Sequence, residues 1–598
     1  MQYRREIDGL RAVAVVPVIL FHAGFQIFSG GFVGVDVFFV ISGYLITTIL
    51  ITELARGDFS IVRFYERRAR RILPALVVVV LACIPFAWLW MLPSQFEDFG
   101  QSVAAVGVFL SNVLFWAEDG YFSAESELKP LLHTWSLAVE EQYYLIFPLF
   151  LAAIWRLGRA WVIAVTLILA LASLGFSEWA WRNQPSMNFY LAPSRAWELL
   201  AGSLAAMVCA RAMPRPNQAL SALGLLMIVG SILFLDDTVP FPSVYALLPV
   251  VGAVLLILFC DSQTLAGRLL STRGFVGVGL ISYSAYLWHQ PLFAFARIRS
   301  VGHPSDLLML GLAIGALGLA WLSWRFVEQP FRKRPTPALA SRFRLFFATG
   351  LVTIAMIGFG VVVHRANGFD QRVEFAAIEK RLSINPGLDS SCSGQFTLAE
   401  SCATGPSPSI VVWGDSFAMH LGQAFSANSA LPFRQHTITV CAPILDISLI
   451  KKDYPESWAQ TCMVFNDQVF DWLGGADEVE IVVLSSLFGI LGNDILQRDE
   501  TVRAAGDQME FVTQALKSTV ERLRAIGKRV IIVSPTPQTG ENIGRCLASA
   551  QKFGVQNSVC DFEKSSLSAE SRATFQLMER ISSFVPVMRL DDMICKEG

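Results

Sequence analysis

The chain has 598 residues, of which 54% are hydrophobic and 16% charged, and its mean hydropathy is +0.50. An ordinary soluble protein has about 45–50% apolar and about 25% charged residues, so a fully soluble, a disordered and a fibrous protein are all excluded. Because 47 Lys and Arg stand against 49 Asp and Glu, the net charge is −2, and the sequence offers no basic surface for nucleic acid.

Hydrophobic runs of membrane-spanning length follow one another from residue 10 to about residue 363, and the chain after residue 366 has the composition of a soluble protein. A helix needs about 20 apolar residues to cross the hydrocarbon core. The sequence therefore predicts a multi-span α-helical membrane domain followed by a globular domain. The eleven predicted spans are 10–28, 33–52, 72–92, 133–153, 160–178, 191–210, 218–235, 243–260, 275–296, 305–326 and 343–363.

The apolar run at 98–117 is not counted as a span, because it contains Asp98, Gln101 and three further polar residues. We expect it to be re-entrant or to lie at the membrane interface. The predicted divisions are residues 1–335 for the membrane domain, 336–366 for the final transmembrane helix, 367–409 for a linker and 410–598 for the globular domain.

The distribution of arginine and lysine predicts the orientation, because short cytoplasmic loops are enriched in these residues. Basic residues precede the first span and recur in alternate later loops, at Arg4, Arg5, Arg63, Arg67, Arg68, Arg70, Arg71, Arg156, Arg159, Arg211, Arg215, Arg268, Arg273, Arg332, Lys333 and Arg334. The N-terminus is then cytoplasmic and the globular domain lies outside. A cleaved signal peptide is disfavoured, since His22 interrupts the first apolar run and no A-x-A cleavage site follows.

The cysteines agree with this orientation. Seven of the ten lie in the globular part, at Cys392, Cys402, Cys441, Cys462, Cys546, Cys560 and Cys595. Cysteine-rich domains are typical of an oxidising compartment such as the bacterial periplasm. Pairing of neighbours along the chain predicts the disulfides 392–402, 441–462 and 546–560 and leaves Cys595 over, although the sequence alone leaves other pairings open.

Several predicted spans contain ionisable residues, which are costly in lipid and usually functional. Arg11 and His22 are eleven residues apart, so they lie on nearly one face of a helix and about 16 Å apart along its axis. His133, Ser136 and Glu140 are spaced to share one face of another helix. An arginine near the membrane surface can hold phosphate, and a buried histidine can accept and release a proton. A hydrogen-bonded network with only a structural role is the alternative for both groups.

Three further spans also carry polar residues. Arg195 and Glu198 are one helical turn apart, and they either line a reaction chamber or form a buried ion pair. Asp36 is an isolated acidic residue in a segment whose glycines permit close helix approach. His289 follows two tyrosines in ISYSAYLWHQP, which the sequence places at the start of a span, where aromatic residues usually anchor. Together these residues suggest a buried reaction chamber rather than a pore.

Seven segments stand in the order typical of one family: REIDGLRAVAVVPVILFH, GVDVFFVISGYLI, FYERRARRILPAL, LLHTWSLAVEEQYYL, PSRAWELLAG, ISYSAYLWHQP and RFVEQPFR. On these motifs residues 3–335 resemble the integral-membrane acyltransferase-3 family, whose Arg-x10-His pair falls on Arg11 and His22. The resemblance implies transfer of an acyl group, usually acetyl, from coenzyme A in the cytoplasm across the membrane to a glycan. His22 is then the catalytic base or an acyl relay. Acetyl-CoA or another acyl-CoA is the donor substrate, and no permanently bound cofactor is expected.

The resemblance also implies roles for other residues. Arg11 and the basic loop after the second span would meet the phosphorylated donor, since arginine binds phosphate well. The residues expected to bind the donor or to line the active chamber are Arg11, Arg67, Arg68, Arg70, Arg71, Arg195 and Glu198, and the residues expected to act in catalysis are His22, His133 and Glu140. No metal site is predicted, because His and Cys are not clustered at metal-ligand spacing.

The globular part begins with SIVVWGDSFAMHLGQAF, in which a short apolar strand, Gly-Asp-Ser and an amphipathic helix follow in order. This resembles the first block of an SGNH hydrolase-like domain, with Ser416 as nucleophile. A serine at a strand-to-helix turn lies near backbone N–H groups that can stabilise an oxyanion. Two further strands, EIVVLSS and RVIIVSP, with a helical pattern between them predict an α/β fold with a parallel sheet. Gly492 and Asn493 are weaker candidates for additional oxyanion donors.

The globular part departs from the SGNH pattern near its end. That pattern requires Asp-x-x-His, in which the histidine activates the serine and the aspartate orients the histidine. Only His420 and His436 follow the linker, and a phenylalanine stands three residues before each. Since the chain ends at LDDMICKEG and Cys595 has no partner, we expect a shortened C-terminus whose missing segment held both a cysteine and this motif. Ser416 would then be poorly activated in this chain.

The leading interpretation is an O-acyltransferase of the bacterial inner membrane. Its membrane domain moves acyl groups outward, and its outer domain delivers them through Ser416 to a sugar hydroxyl. The O-antigen of lipopolysaccharide is the preferred acceptor, from resemblance to fused O-antigen acetylases, and peptidoglycan is the nearest alternative. A transporter with an outer binding domain is a second class, weakened by the lack of visible inverted repeats, and a sensor or structural membrane protein is a third.

Overall fold

The computed structural model describes residues 3–118, 126–236, 239–333, 341–383, 385–428, 431–451, 454–540 and 542–595. The chain divides into two compact units. The membrane unit comprises Met1–Lys380 and Ser549–Gln556, and the outer unit comprises Arg381–Ala548 and Asn557–Gly598. The predicted order of a helical part followed by an α/β part is confirmed.

Helices make up the regular structure of the first part of the chain. They are α1 (Arg5–His22), α2 (Gly34–Arg56), α3 (Ile61–Trp90), α4 (Pro93–Gly107), α5 (Ser111–Glu118), α6 (Thr134–Ile154), α7 (Arg159–Asn183), α8 (Pro185–Tyr190), α9 (Ala192–Arg211), α10 (Gln218–Phe234), α11 (Leu247–Phe259), α12 (Leu265–Leu270), α13 (Arg273–Arg299), α14 (Asp306–Ser323), α15 (Gln329–Lys333), α16 (Arg342–Arg365) and α17 (Val373–Leu382). A π-helical turn, Trp324–Glu328, joins α14 to α15.

A helix occupies each of the eleven predicted spans. By length and composition, six helices in the described residues are able to cross a membrane: Gly31–Arg56, Ile61–Trp90, Thr134–Leu157, Arg159–Asn183, Asp306–Arg332 and Arg342–Arg365. Gln218–Phe234 and Val244–Phe259 are apolar but shorter. The protein is therefore a membrane protein, and the count of eleven crossings stays a prediction.

One predicted boundary was wrong: the first span was expected to continue to residue 28, but α1 ends at His22, and Gly24 follows with φ of 91°. The run 98–117, which was not counted as a span, falls on two helices, because the chain turns at Phe109, whose φ is 55°. Neither of these two helices, α4 and α5, reaches the length of about 20 residues that a crossing requires.

The basic segment between the second and third spans is helical. It was expected to be a loop, but α3 already begins at Ile61, where the hydroxyl of Ser60 accepts a hydrogen bond from the backbone N–H of Arg63. A serine at this position satisfies an otherwise unpaired helix donor. The arginines from Arg67 to Arg71 therefore continue the same helix as the apolar span that follows them.

Glycines let the central helices approach closely. α1 packs on α2 and α13, and α2 packs on α9. A Cβ atom on Gly34 would lie 2.2 Å from the carbonyl oxygen of Ala14, and one on Gly43 would lie 1.9 Å from that of Leu199. Small residues at helix contacts serve this purpose in membranes, and the expected role of the glycines around Asp36 is confirmed.

The outer unit contains two sheets. Its strands are β1 (Ile410–Gly414), β2 (Phe433–Thr437), β3 (Ile447–Ile450), β4 (Ile481–Ser485), β5 (Asp494–Gln497), β6 (Val502–Arg503), β7 (Arg529–Val533) and β8 (Val587–Met588). The larger sheet has the order β2-β1-β4-β7-β8 and is parallel throughout, as predicted, whereas β3, β5 and β6 form a small antiparallel sheet. The helices after β1 in chain order are α18 (Ser416–Asn428), α19 (Glu456–Leu473), α20 (Met509–Ala525), α21 (Ile543–Phe553), α22 (Ala569–Ile581) and α23 (Leu590–Ile594). All of them belong to the outer unit except the part of α21 from Ser549 onward, which is assigned to the membrane unit.

All three predicted disulfides are present. They join Cys392 to Cys402, Cys441 to Cys462, and Cys546 to Cys560, and Cys595 is free. The first of them lies in the stretch that was expected to be a linker. Part of that stretch packs on the edge strand β2, where the Leu388 N–H donates to the side chain of Gln435 over 2.9 Å.

Candidate active site

A cavity in the membrane unit collects polar side chains from α1, α2, α3, α6 and α13. Its cavity volume is about 100 Å³. Arg11, Arg68 and Arg71, which were predicted to bind the donor, line it together with Glu140, which was predicted to act in catalysis. Its other polar lining residues are Ser42, Ser136, Tyr144, Ser282, Tyr283 and Tyr286, and the remaining wall is apolar. We call it the arginine cavity.

The arginine cavity carries an excess of positive charge. Glu140 is the one acidic residue in the described lining, against three guanidinium groups. Arg11 approaches Asp8 with 3.5 Å between Nη1 and Oδ1, and Arg71 lies near enough to Arg11 to repel its charge. Guanidinium groups crowded in this way favour an anionic ligand, and they bind phosphate through charge-assisted hydrogen bonds.

Two of the predicted donor-binding arginines lie outside the cavity lining. Arg67 pairs with Glu53 over 2.8 Å, and Arg70 pairs with Glu66 over 3.1 Å. Because α3 turns by about 100° per residue, Arg68 and Arg71 share one face and Arg67 and Arg70 lie beside it. Because the segment is helical, its arginines fall into two sets, whereas the prediction of a loop treated them as one group.

Glu140 belongs to a hydrogen-bonded group on the cavity wall. Its Oε1 atom accepts hydrogen bonds from the hydroxyl groups of Ser42 and Tyr144, and the Tyr144 hydroxyl also lies 2.8 Å from Oγ of Ser42. Arg68 lies over the Tyr144 ring, 5.7 Å from its centroid. The carboxylate is thus held in one place at the edge of the cationic surface.

Three histidines meet in a second cluster: His22 at the end of α1, His133 directly before α6, and His289 in α13. Nδ1 of His22 lies 3.0 Å from Nε2 of His289, and the two rings are nearly parallel. The ring centroids of His133 and His289 are 5.5 Å apart. His289 and His133 are buried, at 0% and 2% exposure, whereas His22 is partly exposed.

Tyr286 connects the histidine cluster to the arginine cavity. It lines the cavity, and its ring centroid lies 5.2 Å from that of His289 and 5.4 Å from that of His133. Its hydroxyl donates to the backbone carbonyl of His133 over 3.0 Å and lies 2.7 Å from Oγ of Ser136. His133 was expected on the same helix face as Ser136 and Glu140, but it precedes the helix and is absent from the cavity lining.

Arg195 and Glu198 form a separate, sealed cluster with Asp36. Arg195 Nη2 lies 3.3 Å from Asp36 Oδ1, and its Nε lies 3.4 Å from Glu198 Oε1. The three side chains are at most 1% exposed, and the guanidinium lies over the rings of Phe39, Trp135 and Phe241 at 5.5–5.7 Å. In this structure these groups have no free surface on which to meet a donor. We call them the buried ion triad.

No group of three or more His, Cys, Asp or Glu side chains able to hold a metal ion is found in the described parts of the chain. In the histidine cluster two imidazoles are directly bonded. Imidazole groups can exchange protons near neutral pH.

In the outer unit, Ser416 is the first residue of α18, directly after β1, as the strand-turn-helix pattern predicted. Gly414 makes this turn possible, since a Cβ atom there would lie 1.7 Å from the carbonyl oxygen of Ser485. Ser416 is partly exposed, and the N-terminal turn of α18 places backbone N–H groups beside it.

Asp415 ties this turn to the loop after β4. Its carboxylate accepts hydrogen bonds from the Ser486 hydroxyl at 2.6 Å, the Leu487 N–H at 3.1 Å and the Phe417 N–H at 2.9 Å. Burial outweighs these bonds and raises the pKa of Asp415 to about 6. The aspartate thus fixes the position of the serine relative to the neighbouring strand end.

Neither histidine of the outer unit forms a hydrogen bond with Ser416 among the described residues. His436 is buried between Phe396 and Trp472, with ring centroids 5.0 Å and 4.9 Å away, and burial lowers its pKa to about 3. His420 is exposed, and burial of part of its ring lowers its pKa.

The weaker oxyanion candidates are not grouped with Ser416 in the described cavities. Gly492 and Asn493 line a groove beside α20 and α22 whose described wall does not include the serine. The Asn493 amide donates to the carbonyl of Gly489 over 2.8 Å.

Sequence reasoning underrated His289 and did not select Tyr286. The pattern ISYSAYLWHQP was placed at the start of a span, but α13 begins at Arg273, so His289 lies well inside the helix. The sequence signal that could have selected them was a histidine within a predicted span, since ionisable residues in such segments are usually functional.

Two family models match the chain. The acyltransferase domain model matches residues 4–325, which is more than half of the chain. The model of the SGNH domain that is fused to such acyltransferase domains matches residues 390–598.

Several named relatives share the membrane part. A protein of Komagataeibacter xylinus named as a membrane-bound transacylase is 34% identical over 328 residues, which are 54% of this chain and 82% of the relative. The peptidoglycan O-acetyltransferase of Listeria monocytogenes is 31% identical over 354 residues, 56% of each chain. An O-acetyltransferase of Staphylococcus aureus is 29% identical over 376 residues, 60% of this chain and 62% of the relative. The chain thus spans little more than half the length of the two O-acetyltransferases, and no solved structure matches it.

Proposed function

We propose that this protein, which belongs to the membrane acyltransferase family, is an O-acyltransferase that moves an acetyl group from acetyl-CoA to a hydroxyl group of a cell-surface glycan. The observation that carries the proposal is the arginine cavity and its connection, through Tyr286, to the histidine cluster. A cationic cavity suits the phosphates of coenzyme A, and the histidine cluster, which Tyr286 contacts at His133 and His289, suits proton transfer at the thioester.

Arg11, Arg68 and Arg71 would hold the donor. Each lines the cavity, and together they outnumber the acidic groups of its described wall. Arginine side chains at a partly enclosed surface bind phosphate oxygens more strongly than exposed ones do, because water screens the charges less. The apolar remainder of the wall suits the uncharged arm that carries the thioester.

His22 would act as the base. Its Nε2 atom takes the proton of a first acceptor's hydroxyl group while that hydroxyl oxygen attacks the thioester carbonyl. The carbon–sulfur bond then breaks, the coenzyme A thiolate leaves, and the proton on the imidazolium passes to the thiolate. His22 suits this role better than His133 or His289, because it alone of the three is partly exposed.

The outer unit would complete delivery to the glycan. Its three disulfides support a position outside the cytoplasm, since disulfides persist in oxidising compartments. The basic residues of the membrane unit support a cytoplasmic N-terminus and an inner-membrane location. Ser416, at the start of α18, is our proposed nucleophile in this second transfer. Its hydroxyl oxygen takes the acetyl group from the first acceptor, whose hydroxyl is restored by the serine proton, and the glycan hydroxyl then takes the acetyl group and returns a proton to the serine.

Peptidoglycan is the acceptor that we propose first. The sequence alone favoured the O-antigen of lipopolysaccharide, but the Listeria relative is named as a peptidoglycan O-acetyltransferase. Mass spectrometry of peptidoglycan fragments and of O-antigen sugars, from cells with and without the gene, separates the two acceptors. Acetyl groups that depend on the gene are expected on peptidoglycan. If they appear only on O-antigen, lipopolysaccharide becomes the preferred acceptor.

The transfer itself is tested with membranes that contain the protein and are given acetyl-CoA labelled in the acetyl group. Labelled glycan is expected, and His22→Gln is expected to lower the rate by about 10²–10⁴-fold, the usual contribution of a positioned base. His303→Gln is the matched control, because His303 is an exposed histidine of the same unit. Full activity of His22→Gln would remove His22 from the reaction, and the absence of label with the unchanged protein would favour a transporter.

A further inference from the structure

We propose that His289 is a positioning residue that keeps the Nε2 atom of His22 free of a proton and therefore able to act as the base. The inference rests on the proposed function and adds to it the residue that sets the protonation pattern of the reacting imidazole. It follows from a chain of two hydrogen bonds that runs from a backbone carbonyl in α13 to the end of α1.

The first bond determines the tautomer of His289. Its Nδ1 atom lies 2.6 Å from the backbone carbonyl oxygen of Tyr286. A carbonyl oxygen has lone pairs and no hydrogen, so Nδ1 has to be the donor. A neutral imidazole carries a proton on one nitrogen only, and Nε2 of His289 is therefore an acceptor.

The second bond determines the tautomer of His22. Nδ1 of His22 lies 3.0 Å from Nε2 of His289. Because that Nε2 is an acceptor, Nδ1 of His22 has to carry the hydrogen. The single N–H proton of neutral His22 is therefore on Nδ1, and its Nε2 atom keeps a lone pair. Which nitrogen of a histidine is protonated is generally set by the hydrogen bond that the other nitrogen makes.

The neutral state of the pair is supported by its surroundings. His289 is fully buried, and a buried cation without a partner is costly. The charged group that faces the pair is a cation, since the Arg297 guanidinium donates to the backbone carbonyl of His22 over 2.6 Å. Arg297 is itself paired with Glu127 over 3.0 Å. The neighbouring rings of Phe21, His133, Tyr286 and Phe293 add no negative charge.

The pair is also held rigidly. α13 contacts the end of α1 twice, through the His289 side chain and, two turns later, through Arg297. Phe293 packs against the His289 ring with centroids 6.1 Å apart. When His22 takes up a proton on Nε2, its Nδ1–H bond to His289 remains, and this bond stabilises the imidazolium. The same partner therefore orients the base and supports the charge that forms on it.

Two amide variants separate this role from simple packing. In His289→Gln the amide oxygen reaches the position of Nε2 and can still accept from His22. In His289→Asn the shorter amide stays near the position of Nδ1 and cannot. Both variants are polar and smaller than histidine. Trp288→Phe is the control on the same helix, since it removes a bond to Ser323 at 2.8 Å that lies outside the chain of bonds.

We expect His289→Asn to lower kcat by about 10²–10³-fold, within the range that general base catalysis contributes, and to change KM for acetyl-CoA less than threefold. His289→Gln is expected to retain at least ten times the kcat of His289→Asn, and Trp288→Phe to remain within threefold of the unchanged protein. Equal kcat values for the Gln and Asn variants, or unchanged kcat in His289→Asn, would overturn the inference.

A second measurement is independent of activity. Nitrogen-15 solid-state NMR of the full chain in lipid, with labelled histidine, distinguishes protonated from unprotonated ring nitrogens, and the spectrum of His22→Gln identifies the His22 signals. At neutral pH we expect Nδ1 of His22 to be protonated and Nε2 unprotonated. The opposite pattern would refute the tautomer, whereas the expected pattern in a protein without acyl transfer would refute only the proposed function.

Discussion

Replacing Arg195 by methionine tests how the buried ion triad contributes to the fold. The guanidinium is 1% exposed and lies 3.3 Å from Asp36 and 3.4 Å from Glu198, both fully buried. Methionine has a similar length and no charge, so Arg195→Met leaves two carboxyl groups in the protein interior without a positive partner. The sequence offered either a donor-binding role or a buried ion pair for Arg195 and Glu198, and the two roles predict different results.

The expected cost follows from the distances. At an effective dielectric constant of about 20, each contact at this separation contributes about 5 kcal/mol of Coulomb attraction before the cost of removing the charges from water. After that cost, breaking a buried pair by removing one partner typically destabilises a protein by about 3–5 kcal/mol. Replacing all charged members together is often close to neutral. Arg195→Met is therefore expected to cost about 3–5 kcal/mol, and the combined Arg195→Met, Asp36→Asn and Glu198→Gln variant about 2 kcal/mol or less.

Reversible unfolding in mixed micelles of a mild detergent and dodecyl sulfate measures these free energies. Arg182→Met is the matched control, because Arg182 forms an exposed pair with Glu178 at 2.8 Å, and such pairs contribute less than about 1 kcal/mol. Equal destabilisation by the single and the triple variant would refute the charge argument. If the triple variant is stable, its KM for acetyl-CoA is expected to be unchanged. A large increase in this KM would instead support a donor-binding role for the buried ion triad.

Two further predictions concern the donor site and the outer unit. Arg71→Ala is expected to raise KM for acetyl-CoA by about 10–100-fold, since a hydrogen bond to a charged group contributes about 1.5–3 kcal/mol. Arg63→Ala is the control, because Arg63 lies earlier in α3 and is absent from the cavity lining, and its KM is expected to stay within threefold of the unchanged protein. Equal KM values for the two variants in steady-state kinetics would contradict the donor site. Burial raises the pKa of Asp415 to about 6 from an unfolded value of about 3.9. Ionisation of this carboxyl group above pH 6 therefore lowers the free energy of unfolding of the outer unit by about 3 kcal/mol, and below pH 4, where the group is protonated in both states, there is no such loss. The stability of the unchanged chain relative to Asp415→Asn, from the unfolding transition of the outer unit in calorimetry, is therefore expected to fall between pH 4 and pH 7, and a difference that does not vary with pH would contradict this assignment.

Hydropathy and charge predicted much of the architecture. The apolar runs located a helix in each expected span, because a membrane helix has to satisfy its backbone hydrogen bonds internally and to be apolar over its length. Pairing each cysteine with its neighbour along the chain also predicted the three disulfides, since the short loops between such neighbours bring them together. The strand-Gly-Asp-Ser-helix pattern placed Ser416 correctly for the same reason: its determinants are local.

The helix boundaries were harder to predict, and the errors changed the site. Ser60 starts α3 earlier than the apolar residues do, so a segment expected to be one basic loop became a helix with two faces. Arg68 and Arg71 lie in the cavity wall, whereas Arg67 pairs with Glu53. Hydropathy does not register a helical cap, and charge counting does not register which face a side chain occupies.

The sequence by itself determined that His22 is an ionisable group in a membrane helix and that it belongs to a family motif with Arg11. Only the tertiary structure decided that His289, 267 residues further along the chain, is its hydrogen-bond partner, and that Asp36 rather than a ligand is the neighbour of Arg195. The physical reason is the range of the interactions. Spacing along one helix reports contacts within a few residues, whereas partners on different helices are chosen by close packing of α1 on α13 and of α2 on α9, and no local pattern encodes that choice.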